Sequence, residues 1–545
     1  MRLCTYRVWT AVFGLFQCLA VPVVWGQEKS ARPPHVLLII CDQLNPRAMG
    51  WTGQTQVKTP NLDRLAATGV CFTNAYCASP LCAPTRHSIY TGLFPSDHGV
   101  LMNDRPMREG TRTLMDYLNK AGWTTANMGK MHNAPYHCRR DFQYVLHHEF
   151  YVDDAGISHY VPFLAGEISR RGLTPRSWIT PRSGLSWLED VNTVAFTNWM
   201  PEDITPEHWI TDECLKFIRD QISHRPNQPF FLHASYFPPH HPYGPIAKYA
   251  KMYDPAKVQL PPSFSRTKLD RWCGGRYTPA HMTDEDVKRW IAYYYGFVTQ
   301  LDAEVGRLLD GLDQLGVSSN TVVIFTSDHG DMLAEHGMFY KGVMYEASAR
   351  VPFIVRWPGT RQGVREASLV SHVDIMPTVL RLAGLEPEAG LRGEDLRPAI
   401  IGQGRHDRPV YSEFFGEAQA QLLFGSLMYR QGPYKLIVSH SGAGKEQADY
   451  ELYNVDEDPW EMENLADKPA MVPIFRSLQE AFTAIWKRQE TKLPDKMPPA
   501  IARSVYQIAW PADPWKPVEP AGTAPSKVTT KKAAMAPTRP SDTSE

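Results

Sequence analysis

A large, mostly parallel β-sheet sandwiched by helices, followed by a smaller α+β subdomain, is the architecture this sequence predicts. Three observations predict it. Short, almost unbroken apolar runs recur along the chain, helical segments separate them, and several runs end abruptly in residues that carry chemistry. A strand covered by helices on both faces is apolar at nearly every position, whereas a half-exposed strand alternates.

The first run is His35-Val36-Leu37-Leu38-Ile39-Ile40-Cys41, which stops at Asp42-Gln43. Thr59-Pro60 opens a short helix that stops at Gly69. Next comes Pro80-Leu81-Cys82-Ala83-Pro84-Thr85-Arg86-His87-Ser88-Ile89-Tyr90-Thr91-Gly92. Its Pro84 suits the first turn of a helix running toward Gly92, because the amide that proline lacks would have no partner there. Cys82 then lies at a helix N-terminus, where free amides and the helix dipole favour negative charge, and Arg86 faces the same space. Residues 113–121 read as a helix closed by Gly122, and residues 123–128 as a weaker strand ending in Gly129-Lys130-Met131-His132.

Residues 135–205 carry scattered Pro, Gly, His and aromatics and read as an insertion with long loops. Residues 207–222 read as a helix. Pro229-Phe230-Phe231-Leu232-His233-Ala234-Ser235-Tyr236-Phe237 is another strand, followed by Pro238-Pro239-His240-His241-Pro242. Thr283 caps a helix over residues 284–315, in which Trp290, Tyr294, Phe297, Leu301, Val305, Leu308 and Leu312 recur at helical spacing as a core-packing stripe. Thr321-Val322-Val323-Ile324-Phe325-Thr326-Ser327 is a buried strand that ends in Asp328-His329-Gly330, with Lys341 in the loop beyond. Residues 351–357 and 372–385 supply one more strand and one more helix. The main domain therefore covers residues 33–403. Shorter strands at residues 410–414 and 434–439 and a helix near 472–488 mark a subdomain with a small antiparallel sheet over 404–514. Residues 515–545, rich in Pro, Ala, Thr, Ser and Lys, read as a disordered tail.

A formal net charge of −1 with no dominant basic tract excludes a general nucleic-acid binder, so any anion recognition is local. Arg2 and Arg7 precede an apolar run over residues 8–25, the pattern of a secretory signal peptide (1–26) cut near Gln27. The chain is expected to be exported, to the periplasm, the exterior or another secretory compartment, and to keep no membrane segment after cleavage; an uncleaved membrane anchor is the alternative reading of the same run, which is near the lower length limit for a span. Nine cysteines fall to seven once Cys4 and Cys18 leave with the signal, so at least one thiol has no partner within the chain. Cys71 with Cys77 is one candidate disulfide in an oxidising compartment, and Cys82 is the candidate for the unpaired thiol.

In open α/β sheets, ligands bind beyond the carboxyl ends of the strands. Asp42, Lys130 with His132, His240, and Asp328 with His329 all fall just past such ends. The two aspartates offer hard oxygen ligands suited to Ca²⁺ or Mg²⁺, while His329 leaves Mn²⁺ or Zn²⁺ open. Arg86, Lys130 and Lys341 add fixed positive charge. Together with a metal they describe a pocket for a compact oxyanion: sulfate, phosphate or phosphonate.

The ordered set Cys82-Ala83-Pro84-Thr85-Arg86 with Tyr90-Thr91-Gly92, Asp42, Gly129-Lys130-Met131-His132, Pro239-His240, Ser327-Asp328-His329-Gly330, Lys341, Tyr345-Glu346 and Arg350-Val351-Pro352 resembles the formylglycine-dependent sulfatases. Tyr450-Glu451-Leu452-Tyr453-Asn454 with Asp458-Pro459 resembles the family's C-terminal pattern, so the likeness spans most of residues 35–466. It implies an alkaline phosphatase-like fold and conversion of Cys82 to formylglycine by a separate generating enzyme. One hydroxyl of the hydrated aldehyde, activated by the metal, would attack sulfur and displace the alcohol. The other would then lose a proton and expel sulfate, restoring the aldehyde.

Carried over by position, Asp42, modified Cys82, Asp328 and His329 would hold one Ca²⁺, with Mg²⁺ or Mn²⁺ as alternatives. Arg86 would hold the aldehyde hydrate, and Lys130 and Lys341 the sulfate oxygens. His132 would assist sulfate release, and His240 or Lys341 would serve the leaving alcohol, with His241 and His233 as nearby alternatives to His240. Two departures stand out. Many family members have consecutive carboxylates where this chain has Asp42-Gln43, so Gln43 would ligate through an amide oxygen with less charge. Thr85 replaces a common serine. The substrate implied is a sulfated small molecule or glycan. A phosphonate monoester or phosphodiester hydrolase using the same site, and a non-catalytic glycan-binding protein, are the competing readings.

Overall fold

The computed structural model describes residues 33–490 except 54–55, 104, 133–140, 149–158, 174–193, 269–275, 405–407, 419–420 and 441–448. The expected signal peptide, the expected tail and much of the expected insertion lie outside the described residues.

Eight principal strands build the large sheet: β1 (His35–Asp42), β2 (Val70–Tyr76), β3 (Thr124–Gly129), β4 (Tyr144–Leu146), β5 (Phe230–Pro239), β6 (Thr321–Ser327), β7 (Phe353–Arg356) and β8 (Val364–Ser371). Their order is β8-β2-β7-β6-β1-β5-β3-β4. Every pairing along it is parallel except those of β7 with β2 and with β6. The mostly parallel sheet read from the sequence is therefore present. β1 is central and buried throughout. Its Val36, Leu38 and Ile40 enter one core, and its Leu37, Ile39 and Cys41 enter the other. That two-sided burial is why the run reads as continuously apolar.

Helix α1 (Cys82–Thr91) contributes Ile89 and Tyr90 to the first core. Helices α2 (Pro206–His224) and α3 (Asp284–Gln314) supply the second. The expected stripe of α3 is buried, and a capping box between Thr283 and Asp286 starts the helix. On the first side, α4 (Ile375–Leu382) follows a short 3-10 turn, His372–Asp374. Helix α1 begins at Cys82 rather than Pro84, with Leu81 extended before it and Gly92 in the left-handed region (φ 64°) after it. Pro84 is still in the first turn, so the capping logic holds two residues further on.

The smaller sheet, β9 (Val410–Ala418), β10 (Gln421–Gln431), β11 (Tyr434–His440) and β12 (Asp449–Asn454), is an antiparallel meander. One face packs Leu427, Tyr429, Leu436, Val438 and Leu452 against Phe475, Leu478 and Phe482 of α5 (Val472–Glu490). The other sends Met428, Ile437 and Tyr453 into the first core of the large sheet. The Cys71–Cys77 pairing does not occur, and both thiols are free. They sit at Cα positions six apart along β2 and its exit. At about 3.3 Å per residue an extended strand holds them far beyond disulfide reach.

Glu413 on β9 accepts from the amide (2.9 Å) and hydroxyl (2.8 Å) of Ser96. Burial pushes its carboxyl up to about 8 from an ordinary value of 4.5. The folded chain thus binds more protons here than the unfolded chain between those two values, and this contribution to stability falls as pH rises through the window. Between about pH 5 and about pH 9, the thermal midpoint of the natural chain is expected to drop relative to that of Glu413→Gln. Parallel midpoints would remove Glu413 as the source.

Candidate active site

Register brings the strand ends together. Cys41 pairs with Ser327, so Asp42 and Asp328 leave neighbouring strands side by side. On the other flank Asp42 pairs with Pro239, and Gly129 pairs with Ser235. A Cβ on Gly129 (φ 107°) would lie 2.0 Å from the Ser235 carbonyl, so only glycine lets β3 turn Lys130 toward β1. A Cβ on Gly330 would lie 1.9 Å from the Ala347 carbonyl, which fixes the turn after His329.

Helix α1 delivers Cys82 to this edge from below. Atoms of Asp42, Cys82, Asp328 and His329 lie within 4.8 Å of one another, and all four residues are buried. Cys82 Sγ is 3.2 Å from His329 Nε2 and 3.9 Å from Asp42 Oδ1. His329 Nδ1 faces the Gly330 carbonyl at 2.9 Å, so Nδ1 carries a proton and Nε2 is the nitrogen turned toward the cluster. On the other side of the sulfur, Lys341 Nζ stands 2.9 Å away and also 2.9 Å from His240 Nε2. Lys130 Nζ contacts Asp42 Oδ2 at 2.6 Å. His132 adds a hydrogen bond to the thiol.

Arg86 is wholly buried beneath the carboxylates. It donates through Nε to Asp328 Oδ2 (3.0 Å) and through one terminal nitrogen to Asp42 Oδ2 (3.3 Å). The other terminal nitrogen reaches Ser235 Oγ (2.9 Å) and the Lys130 carbonyl (3.3 Å). The alternatives to His240 separate clearly. His233 meets the Tyr90 hydroxyl at 2.8 Å in the core, and His241 Nδ1 meets Gln43 Nε2 at 3.0 Å. His240 is the one whose ring meets the Lys341 ammonium. Thr85 bonds His372 Nδ1 at 2.9 Å, so the hydroxyl of the departing residue is used.

The electrostatics follow from burying opposite charges together. Burial alone would push the Cys82 thiol up, but Lys341, Lys130 and His329 hold it well below the ordinary thiol range. Burial and the Cys82 charge would raise Asp42, yet Lys130, His240 and Lys341 hold it well below the usual carboxylate range. Burial and then the Asp42 charge push Asp328 up. Burial, reinforced by Lys341, lowers His240 to about 4, which keeps the imidazole neutral at ordinary pH.

The donor set fits a divalent cation. Two buried carboxylates converge, and the strain of holding both charged appears in Asp328. A third observation comes from Gln43 beside them. Its backbone N–H donates to Asp328 Oδ1 (3.0 Å), and its carbonyl accepts from the Tyr294 hydroxyl (2.7 Å). Its Nε2 donates to Asp331 Oδ2 (2.6 Å) and to His241 Nδ1. Only Oε1, also buried, has no hydrogen-bond partner among the described residues. A buried amide oxygen left alone in this way is an available hard ligand.

The layer behind Gln43 was missed in the sequence. Asp331 follows Asp328-His329-Gly330 directly, and a second carboxylate three residues into a strand-end loop was the available signal.

Residues 34–385 match the sequence model of the sulfatase family, and residues 334–488 match that of the N-sulphoglucosamine sulphohydrolase C-terminal region. An arylsulfatase of Clostridium perfringens is 30% identical over 452 residues, covering 79% of this chain and 90% of its own. The solved phosphonate monoester hydrolase of Agrobacterium radiobacter superposes with a TM-score of 0.69 at 23% identity, covering 84% of this chain and 96% of its own. A structure described as a 2-O GAG sulfatase superposes with a TM-score of 0.63 at 23% identity, covering 84% and 93%. At that identity the two superpositions speak for the fold.

Proposed function

This chain belongs to the sulfatase family and hydrolyses sulfate esters, and we propose that it does so through a formylglycine made from Cys82 beside a bound Ca²⁺, on a sulfated carbohydrate outside the cytoplasm. The observation that carries this reading is the position of the Cys82 sulfur. It has His329 Nε2 and the aspartates on one side and Lys341 Nζ, backed by His240, on the other. Nucleophile, metal donors and a proton source therefore surround one atom position.

Asp42, Gln43, Asp328 and His329 would hold the cation together with the modified residue 82. When bound, the cation would lower the pKa of the aldehyde hydrate and offset negative charge on the ester. Lys130 and Lys341 bind the sulfate oxygens and balance the charge that grows on them as the sulfur–oxygen bond breaks. His240 Nδ1 faces the His241 carbonyl and so carries the proton. Its Nε2 then accepts from Lys341 and holds that ammonium in place to protonate the departing alkoxide. One hydroxyl of the hydrate gives its proton to solvent, and its oxygen bonds to sulfur as the ester sulfur–oxygen bond breaks. The alcohol leaves with the Lys341 proton, which solvent restores, and the sulfuryl group remains on that oxygen. His132 takes the proton from the second hydroxyl, the carbon–oxygen bond to sulfate breaks, and the aldehyde re-forms. Arg86 keeps the two aspartates in register and supports the hydrate through them.

Glycan specificity and export rest on the leader-like residues 1–26 and on the likeness to a 2-O GAG sulfatase. The generating enzyme is the required maturation partner. The likeness to a phosphonate monoester hydrolase favours a second reading, in which the same site cleaves phosphonate monoesters. Parallel kcat/KM measurements on an aryl sulfate and an aryl phosphonate monoester separate the two. The sulfate ester is expected to lead, and a preference for the phosphonate rejects the first reading. Dialysis against EDTA is expected to abolish turnover and lower the thermal midpoint, and Ca²⁺ to restore both. Full activity in excess chelator removes the metal from the scheme.

A further inference from the structure

Among the described residues, Asp331 is a buried carboxylate that the scheme above does not use. Four donors converge on it. Oδ1 accepts from the amides of Leu333 (2.8 Å) and Tyr340 (3.0 Å). Oδ2 accepts from Gln43 Nε2 (2.6 Å) and from the Tyr243 hydroxyl (2.7 Å). Its own carbonyl accepts from Asn45 Nδ2 at 2.6 Å, which fixes the loop against the end of β1. The group is therefore locked from both sides, and one of its two oxygens is committed to the side chain of Gln43.

An amide is ambiguous as a metal ligand, because turning it over replaces an oxygen by an NH₂ group that repels a cation. Here the turn is forbidden. If Gln43 flipped, its oxygen would face the Asp331 carboxylate, and the NH₂ group would lose both of its acceptors. The backbone of Gln43 is equally fixed, with φ 67° and its N–H on Asp328.

We infer that Asp331 is a positioning residue that holds the Gln43 amide with its oxygen toward the cation site, and that it supplies from one layer out the negative charge that a carboxylate at position 43 would bring directly. This rests on reading Asp42, Gln43, Asp328 and His329 as a cation site. The pair Gln43–Asp331 is then an acid split between two residues: neutral oxygen in contact, charge behind it. The charge polarises the amide through its N–H, which raises the donor strength of the oxygen.

The test is a charge swap in the full-length matured chain, stripped with EDTA and titrated with Ca²⁺ by calorimetry. In Asp331→Asn the new amide keeps its oxygen on the Leu333 and Tyr340 amides and turns its NH₂ toward Gln43. Two NH₂ groups then face each other, the Gln43 amide turns over, and Ca²⁺ affinity falls roughly 10- to 100-fold. In Gln43→Glu/Asp331→Asn the amide introduced at position 331 donates its N–H to one oxygen of the carboxylate introduced at position 43, and the other oxygen of that carboxylate faces the cation. His241 can present N–H instead of a lone pair by changing tautomer. Affinity is expected to return to near the natural value. The thermal midpoint of the metal-free proteins reports structural damage, which the swap would not repair.

Natural-strength binding in D331N, or a double variant no tighter than D331N, overturns the inference while leaving the cation site intact. A natural chain that binds no divalent cation overturns the site itself and the inference with it. If D331N does not fold, Q43E is compared with Q43E/D331N. The double variant must bind Ca²⁺ more weakly than Q43E, since it lacks the charge that Asp331 supplies from one layer out, and equal affinity overturns the inference.

Discussion

Cys82→Ala is expected to lower the turnover of sulfate esters by at least about 10⁴-fold while leaving the fold intact, because it removes the atom from which the proposed nucleophile is made. The sulfur lies at the start of α1 with no backbone role of its own, so the helix, its Gly92 terminus and the neighbouring aspartates keep their partners. Circular dichroism and the thermal midpoint check the fold, and sulfate release checks the activity. Cys82→Ser is the sharper variant. A serine hydroxyl could attack sulfur once, with Lys341 still placed to protonate the alcohol. The resulting serine sulfate has no second hydroxyl on the same carbon, so the carbon–oxygen cleavage that frees sulfate is closed to it. At most one equivalent of alcohol is expected, with a sulfuryl group left on the peptide containing position 82, read by mass spectrometry. Sustained turnover by either variant at the rate of the natural chain rejects the aldehyde scheme.

The central strands were legible because burial on both faces leaves no polar positions to confuse the pattern, as in β1, β5 and β6. The strands β2 and β8 were not. β2 carries Thr73 and Asn74, and the first half of β8 alternates half-buried with exposed positions. Such segments read as loops until their partners are known, since β-propensity is largely a property of neighbours. The strand expected over residues 351–357 is divided at Pro352, which cannot donate to a ladder, into Arg350–Val351 and β7. The helix Tyr160–Arg171 lies inside the stretch read as irregular.

At the site, the first layer was legible because strand ends in a parallel sheet converge, and Asp42, Lys130, His132, His240, Asp328 and His329 could be placed there by that rule alone. The second layer was not. Asp331, Tyr243 and His241 meet behind Gln43 only because the loop after β6 folds back through left-handed conformations at Leu333, Ala334, His336 and Tyr340. None of these four is a glycine, so the glycines of the loop, Gly337 (φ 69°) and Gly342 (φ 88°), mark only part of its path in the sequence. Arg86 shows the limit in another way. Its residue type and spacing suggest a ligand-facing cation, yet its guanidinium is committed to Asp42, Asp328 and Ser235 beneath the cluster.

Lys435→Met is expected to destabilise the protein by about 3–5 kcal/mol, the cost of leaving the buried carboxylate of Glu461 without its cation. Lys435 on β11 is fully buried and contacts Glu346 Oε1 at 2.9 Å and Glu461 Oε1 at 2.7 Å. Glu461 Oε2 accepts from the Glu346 amide at 2.6 Å, while Tyr76 and Arg350 complete the shell of Glu346 at 2.8 and 2.9 Å. Glu346, Arg350, Lys435 and Glu461 form one ion cluster that joins the smaller sheet to the large one, and the Tyr345 hydroxyl donates to Glu451 on β12. Methionine matches the length of the lysine stem but supplies no charge, so Glu461 must take up a proton or admit water, while Glu346 keeps Arg350. Denaturant unfolding followed by tryptophan fluorescence and by far-ultraviolet circular dichroism is expected to show a lower midpoint, with the two probes separating as the smaller sheet loses its attachment first. Adding Glu461→Gln to Lys435→Met should recover part of the loss, because the charge that Lys435 balanced at Glu461 is gone. An unchanged midpoint in Lys435→Met would mean that the sheets are joined by the shared apolar core of Met428, Ile437 and Tyr453 alone.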